Sequence, residues 1–355
     1  MSNKQKAMEN PFTLSFGTSP LEYISRIEEK NQLMSQIEKD PPLSHCFVIT
    51  GLRGSGKTVM LTSISKAFSE MKEWVVIEVN PEDDMREALA AKLYTSERIK
   101  RFFLEKSFSV SFKGVSFSLS GKNPVLNIDD LLEKMLGIVK REGKKVLVLI
   151  DEASSTEKMK QFALSFQILI RNGFPLFLLA TGLFENISSL ENEKNLTFLI
   201  RAPKVFLSPL NISSIAASYE KAIGLSPEES LRYAKLTKGY AFSFQLLGYL
   251  LFERKESDSE NSLMSLYDQY LAEYVYRKVW SSLSPVEQRI LTNFRTNGPL
   301  TVKEIIERNS MTKGYFSKYR ERLMKNGILV SPSRGILSFA LPRFKEFIDA
   351  NTFDE

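Results

Sequence analysis

The sequence predicts an α/β protein: a parallel sheet wrapped by helices, then an all-helical unit, then a small unit of helices and a hairpin. Three observations carry this. Short apolar runs alternate with longer amphipathic stretches up to about residue 208. The pattern becomes wholly helical from about Asn211 to Trp280. From Ser284 onward, three capped helical stretches lead into two short strands around a Ser331–Gly335 turn.

Taken in order, residues 1–20 read as an irregular arm broken by Pro11, Gly17 and Pro20. The core spans 21–208. It opens with a helical pattern from Leu21 to Ile37, followed by an apolar strand from His45 to Thr50, a glycine loop and a helix. Trp74–Val79, Lys145–Ile150 and Pro175–Ala180 are further strands, with a fifth at Val205–Leu207. Helices fall at Met85–Leu104, at Ile128–Arg141 with Asn127 as cap, and at Met159–Arg171. Residues 108–119 differ in kind: Phe108, Val110 and Phe112 alternate with serines, as do Val115, Phe117 and Leu119, on either side of Lys113 and Gly114. That pattern predicts a β-hairpin inserted into the core. Residues 209–280 form a helical lid, and 281–355 the C-terminal unit.

Composition narrows the chemistry. A single cysteine, Cys46, allows no internal disulfide and suits a reducing cytoplasm. A single histidine, His45, excludes histidine metal clusters and argues against a histidine-based triad. No apolar run approaches the roughly 18 residues of a membrane span. Of the formal net charge of +6, most sits at the C-terminal end, where Ser281–Glu355 hold 12 Lys and Arg against 8 Asp and Glu. That end is the candidate for an anionic partner.

The segment Gly51, Leu52, Arg53, Gly54, Ser55, Gly56, Lys57, Thr58 fits the phosphate-loop pattern G-x-x-x-x-G-K-[ST] between a strand and a helix that begins at Val59. Its glycines let successive N–H groups face phosphate oxygens, and the helix terminus adds partial positive charge. Lys57 would neutralise the β/γ oxygens of ATP, and the Thr58 hydroxyl would ligate Mg2+. Such a loop needs a second strand ending in carboxylate. Val146–Ile150, followed by Asp151 and Glu152, supplies it: Asp151 for the metal, Glu152 to activate the attacking water. Thr181, ending the next strand, is placed to hydrogen-bond the γ-phosphate or the water; an ordinary strand-end threonine is the alternative. Arg201 is a weaker candidate for an arginine finger reaching a neighbouring subunit.

These residues resemble the AAA+ and STAND group of P-loop ATPases, near the archaeal origin-recognition initiators. Tyr23–Glu29 adds to the likeness. It resembles the motif that in this group precedes the first strand and lies near the nucleotide base, with Arg26 and Glu29 matching, Ser25 replacing a glycine and Ile27 a glutamate. The resemblance implies a helical lid carrying a sensor arginine after a Gly-x-Pro-like turn. Gly239–Phe242 has neither that proline nor the arginine, a departure similar to STAND proteins that implies a slow nucleotide switch.

The C-terminal unit resembles the winged-helix superfamily. Ser284, Thr301 and Thr312 cap its helices. In the third, Phe316, Tyr319 and Leu323 should face the core, leaving Lys313, Ser317, Lys318 and Arg320 outward, with Arg334 at the wing tip. Thr312–Asn326 holds five basic residues and one acid, which suits contact with the phosphates of double-stranded DNA. The expectation is a cytoplasmic ATPase that binds DNA through this unit. The alternative is a signalling or defence ATPase whose winged helix contacts protein and whose ATP site controls homo-oligomerisation.

Overall fold

The computed structural model describes residues 9–15, 20–105, 111–112, 115–116, 127–194, 196, 198–255, 257–294 and 298–352. It divides into two compact units: Arg26–Thr50 with Lys57–Phe206, and Met1–Ser25, Gly51–Gly56 and Leu207–Glu355.

The first unit is the parallel sheet and its helices. In chain order it holds α1 (Ile27–Glu38), β1 (Cys46–Thr50), α2 (Lys57–Glu70), β2 (Trp74–Glu78), α3 (Met85–Thr95), α4 (Lys100–Glu105), β3 (Ser111–Phe112), β4 (Val115–Ser116), α5 (Ile128–Arg141), β5 (Lys145–Ile150), α6 (Glu157–Arg171), β6 (Leu176–Gly182), α7 (Phe184–Glu191) and β7 (Lys204–Phe206). The sheet order is β2-β5-β6-β1-β7, and every neighbouring pair is parallel. Helices cover both faces, so β1 and β6 are buried along their whole length and β5 over all but Lys145. Cys46 is one of these buried residues; burial pushes its thiol up to about 12, against an opposing pull from Lys204, so it is no nucleophile at neutral pH.

The order has a consequence for chemistry. The strand that precedes the glycine loop and the strand that ends in acid are not neighbours, because β6 lies between them. Register aligns Ile49 with Thr181 and Thr50 with Gly182 on one side, and Ile150 with Ala180 on the other. Thr181 is thus delivered to the same edge as Asp151.

Asn127 and Thr156 cap α5 and α6 by accepting from the amides of Asp130 and Met159. The helix expected at 85–104 breaks at Ser96 into α3 and α4. Of the expected hairpin, Ser111 pairs with Ser116 and Phe112 with Val115, antiparallel; residues 108–110, 113–114 and 117–119 lie outside the described residues.

The second unit holds the lid helices α8 (Ile212–Ile223), α9 (Pro227–Leu236), α10 (Ala241–Glu253) and α11 (Glu260–Leu271), then a π-turn over Ala272–Tyr276 and α12 (Arg277–Ser281). The C-terminal elements follow: α13 (Pro285–Thr292), β8 (Leu300–Thr301), α14 (Val302–Arg308), α15 (Lys313–Lys325), β9 (Leu329–Val330), β10 (Ile336–Phe339) and α16 (Phe344–Thr352). Ser284 and Thr301 form full capping boxes with Glu287 and Glu304, and Thr312 caps α15. β8 and β9 flank β10, both antiparallel to it.

Two expectations change here. The helix anticipated from Leu21 begins only at Ile27, and residues 9–15 of the arm are fastened to α10. Phe12 is 1% exposed, edge-on to Phe244, over Gly248, where any Cβ would strike its ring. The Thr13 amide donates to Gln245, and Gln245 donates to the Glu22 carbonyl. Those bonds tie Thr13 and Glu22 to one side chain of α10. Nor is the lid separate from the C-terminal unit. One apolar core runs through both, with Tyr276 edge-on to Phe344 and Phe347. The Tyr276 hydroxyl donates to the Pro342 carbonyl at 2.5 Å, Lys238 donates to the Phe339 carbonyl at 3.0 Å, and Arg343 pairs with Asp268.

Among the described residues, no helix is long and apolar enough to cross a membrane.

Candidate functional site

The carboxylate end of β5 and β6 is built from side chains that hold one another. Thr58, in the first turn of α2, donates its hydroxyl to Asp151 Oδ2 at 2.8 Å. Thr181 is fully buried and donates its hydroxyl to the other oxygen, Asp151 Oδ1. The Glu152 amide donates to Asp151 Oδ1 and to Thr181 Oγ1, both at 3.1 Å, and the Ala153 amide donates to the Thr181 carbonyl at 2.7 Å. Glu152 has φ of 55°, a left-handed backbone that costs a residue with a Cβ about 1–2 kcal/mol. The bonds from Thr181 and Asp151 hold it there. The result is a fixed Asp151 and an exposed Glu152 side chain carried on a rigid turn.

The Thr181 hydroxyl, a candidate for contact with the γ-phosphate or the water, is engaged twice inside this cluster, as donor to Asp151 and acceptor from Glu152. The role it can fill from there is to orient the two acids.

The glycine loop follows β1. Gly54 and Gly56 have φ of 73° and 93°, which side chains rarely adopt, and the Ser55 amide closes a turn onto the Leu52 carbonyl at 3.1 Å. Lys57 opens α2 and is only 9% exposed, whereas Val59 is exposed on the same turn. Thr58 and Asp151 give one hydroxyl and one carboxylate within hydrogen-bonding distance. That is the oxygen donor set magnesium takes from protein when phosphates and water complete its shell. Among the described residues no cluster of three or more His, Cys, Asp or Glu could hold a metal ion. The residues present fit both a nucleotide phosphate and Mg2+.

Sequence reasoning missed the loop's outer face. The Tyr240 hydroxyl donates to the Arg53 carbonyl at 2.5 Å, and the Phe242 amide donates to the Gly54 carbonyl at 3.0 Å. Burial pushes the Tyr240 phenol well up, so it stays a donor at any working pH. Tyr240 is the N-cap of α10 and makes no side-chain capping bond, so the first amides of the helix take acceptors from elsewhere.

Other sequence candidates are more dispersed. Arg26 occupies the N-cap position of α1; burial pulls its guanidinium below the ordinary value while Glu29 opposes this. Arg201 is exposed at the end of a 3-10 turn over Leu199–Arg201, whose Leu199 is buried.

On α15, Phe316 and Leu323 are buried and Tyr319 half-buried, as the spacing required. Lys313, Ser317 and Lys318 are exposed, Arg320 is half-buried, and Arg334 is exposed in the turn between β9 and β10. Two further cations of the helix are committed to acids: Arg322 to the buried Glu287 at 3.2 Å, and Lys325 to Glu321 at 2.7 Å.

Two protein families match the chain. Residues 23–202 match the family described as an ATPase domain predominantly from Archaea, and residues 273–348 match a domain of unknown function. Among curated proteins there is no match. Among solved structures, the ORC2 protein of Aeropyrum pernix, in ADPNP and ADP complexes, is similar over 96% of this chain and 98% of its own, at 15% identity and a TM-score of 0.57. The ORC1 protein of the same organism in complex with DNA matches at 16% identity, over 94% of each chain, with a TM-score of 0.46. A STAND protein with a tetratricopeptide-repeat sensor from Pyrococcus horikoshii matches at 19% identity over 92% of this chain and 42% of its own, with a TM-score of 0.39. The first of these shows the fold: an AAA+ P-loop core like that of archaeal origin-recognition proteins.

Proposed function

The chain belongs to the family of ATPase domains found predominantly in Archaea, and from that premise we propose a magnesium-dependent, slowly hydrolysing ATP switch that binds double-stranded DNA through a C-terminal winged helix. The observation that carries the ATPase part is the bonded set of Thr58, Asp151, Thr181 and Glu152 at the end of β5 and β6. Lys57 and the loop amides bind the phosphates. Thr58 and Asp151 would hold the magnesium. When bound, that ion offsets the charge that develops on the transferring phosphoryl group. Glu152 accepts the proton of a water as its oxygen attacks the γ-phosphorus and the bond to ADP breaks. Thr181 keeps Asp151 and the Glu152 turn in register. The turn at Gly239–Phe242 carries no arginine, which removes one source of transition-state charge stabilisation and favours a slow rate.

Support for the DNA part comes from α15. Lys313, Lys318 and Arg320 share one helix with few acids, and Arg334 lies on the adjoining hairpin turn. A salt series of duplex binding, with and without ATP, tests this. Binding should weaken linearly in log-log form with salt, respond to ATP, and lose slope in Lys313→Ala with Arg320→Ala. Absence of binding at low salt, or no change in the double variant, overturns it.

One observation favours the second reading, a signalling or defence ATPase in which the C-terminal unit contacts protein and ATP controls oligomerisation. Leu52 of the glycine loop packs on the shared core of lid and C-terminal unit, and a Cβ at Gly327 would lie 3.5 Å from it. A chain that binds no DNA but changes its solution mass with ATP belongs to this class.

A further inference from the structure

The geometry points to Tyr240 and the Phe242 amide as a positioning pair that sets the phosphate loop's peptides from the lid and couples nucleotide affinity to α10. This rests on the ATP-site reading and goes beyond it, because the lid turn was notable in the sequence only for the arginine it lacks.

The argument starts from peptide geometry. A trans peptide is planar, with C=O and N–H pointing opposite ways. The Tyr240 hydroxyl fixes the Arg53 carbonyl, so the Gly54 N–H is turned away from the lid. The Phe242 amide fixes the Gly54 carbonyl, so the Ser55 N–H is turned away as well, into the bond that closes the turn on Leu52. Two successive peptide planes of the loop are therefore set from outside. The Ser55 N–H is spent on closing the turn, so what the lid sets is the course of the loop's backbone, which a phosphate cradle needs fixed before ligand arrives.

The arrangement also serves α10. Its first-turn amides have no side-chain cap, and the Gly54 carbonyl satisfies one of them. Loop and helix each complete the other's hydrogen bonding, so a change in one is felt by the other. Gly54 is suited to this for two reasons. Its φ is positive, and a Cβ there would lie 2.9 Å from Phe242 Cβ and closer still to the Tyr240 hydroxyl. The close approach of the lid, as well as the turn itself, calls for glycine.

The test uses the full chain and ADP as probe, by calorimetry. Tyr240→Phe removes only the hydroxyl and leaves the Arg53 carbonyl short of a partner; ADP affinity should fall about tenfold. Tyr233→Phe is the control. It removes a buried lid hydroxyl bonded to Arg254, which caps the far end of α10, and should leave ADP affinity unchanged. Equal affinity in Tyr240→Phe and parent, or equal losses in both variants, overturns the inference while the ATP site stands. Failure of the parent to bind ADP overturns both. An assay free of variants checks the same link: by reciprocity, ADP should slow hydrogen exchange of the Phe242 amide. Unchanged exchange there would count against the coupling.

Discussion

The acid end of β5 and β6 and the basic face of α15 are both candidate sites, and they are built in opposite ways. At the first, Thr58, Thr181 and the Glu152 amide all converge on Asp151, and Thr181 is fully buried. At the second, Lys313, Ser317 and Lys318 stand exposed in solvent. The difference teaches what each can do. A bonded, partly dry cluster spends its side-chain freedom at folding and meets its ligand preorganised. Exposed cations keep their freedom and their hydration, and give affinity that is strong in low salt and poor in geometric choice.

If the contrast holds, single changes at the nucleotide end should be large and salt-insensitive, while those on α15 should be small, additive and salt-dependent. Lys57→Ala should weaken ATP binding about 10- to 100-fold, the worth of a charged hydrogen bond to phosphate, as measured by titration calorimetry. Thr181→Val keeps shape and removes the hydroxyl that Asp151 and the Glu152 amide share. Steady-state kinetics should show kcat down about tenfold or more with KM little changed. Were KM to rise instead at constant kcat, Thr181 would be a ligand contact rather than an orienting residue. The double change Lys313→Ala with Arg320→Ala should lower the salt slope of DNA binding by about 2, read from a fluorescence-anisotropy series. Arg334→Ala alone should lower it by about 1. A loss on α15 that ignored salt would break the contrast, since it would mean a built site there as well.

The same contrast governs how much was legible beforehand. The loop from Gly51 to Thr58 and the acids after Ile150 announce themselves, because glycine, lysine and carboxylate at fixed spacing leave few alternatives. Five strands follow from apolar runs, and the caps at Asn127, Ser284, Thr301 and Thr312 from the residue types that stand before helical patterns. What Thr181 does was not legible: its partners come from strand order, β6 lying between β1 and β5, and order is not written in periodicity. The arm fared similarly. Phe12 reads as one of two phenylalanines in a short irregular arm, and its slot is made by Gly248 and Phe244, more than two hundred residues on. Tyr240 was hidden for a third reason. Its partner is a main-chain carbonyl, which any residue at position 53 would offer equally.

The most direct test of the nucleotide site compares ATP binding and single-turnover hydrolysis in the parent and in Glu152→Gln, with magnesium present. The expected result is undiminished binding in the variant and hydrolysis slowed about 100-fold or more, the scale of a lost general base. A variant that hydrolyses as fast as the parent, or a parent that binds no ATP, would contradict the site described here.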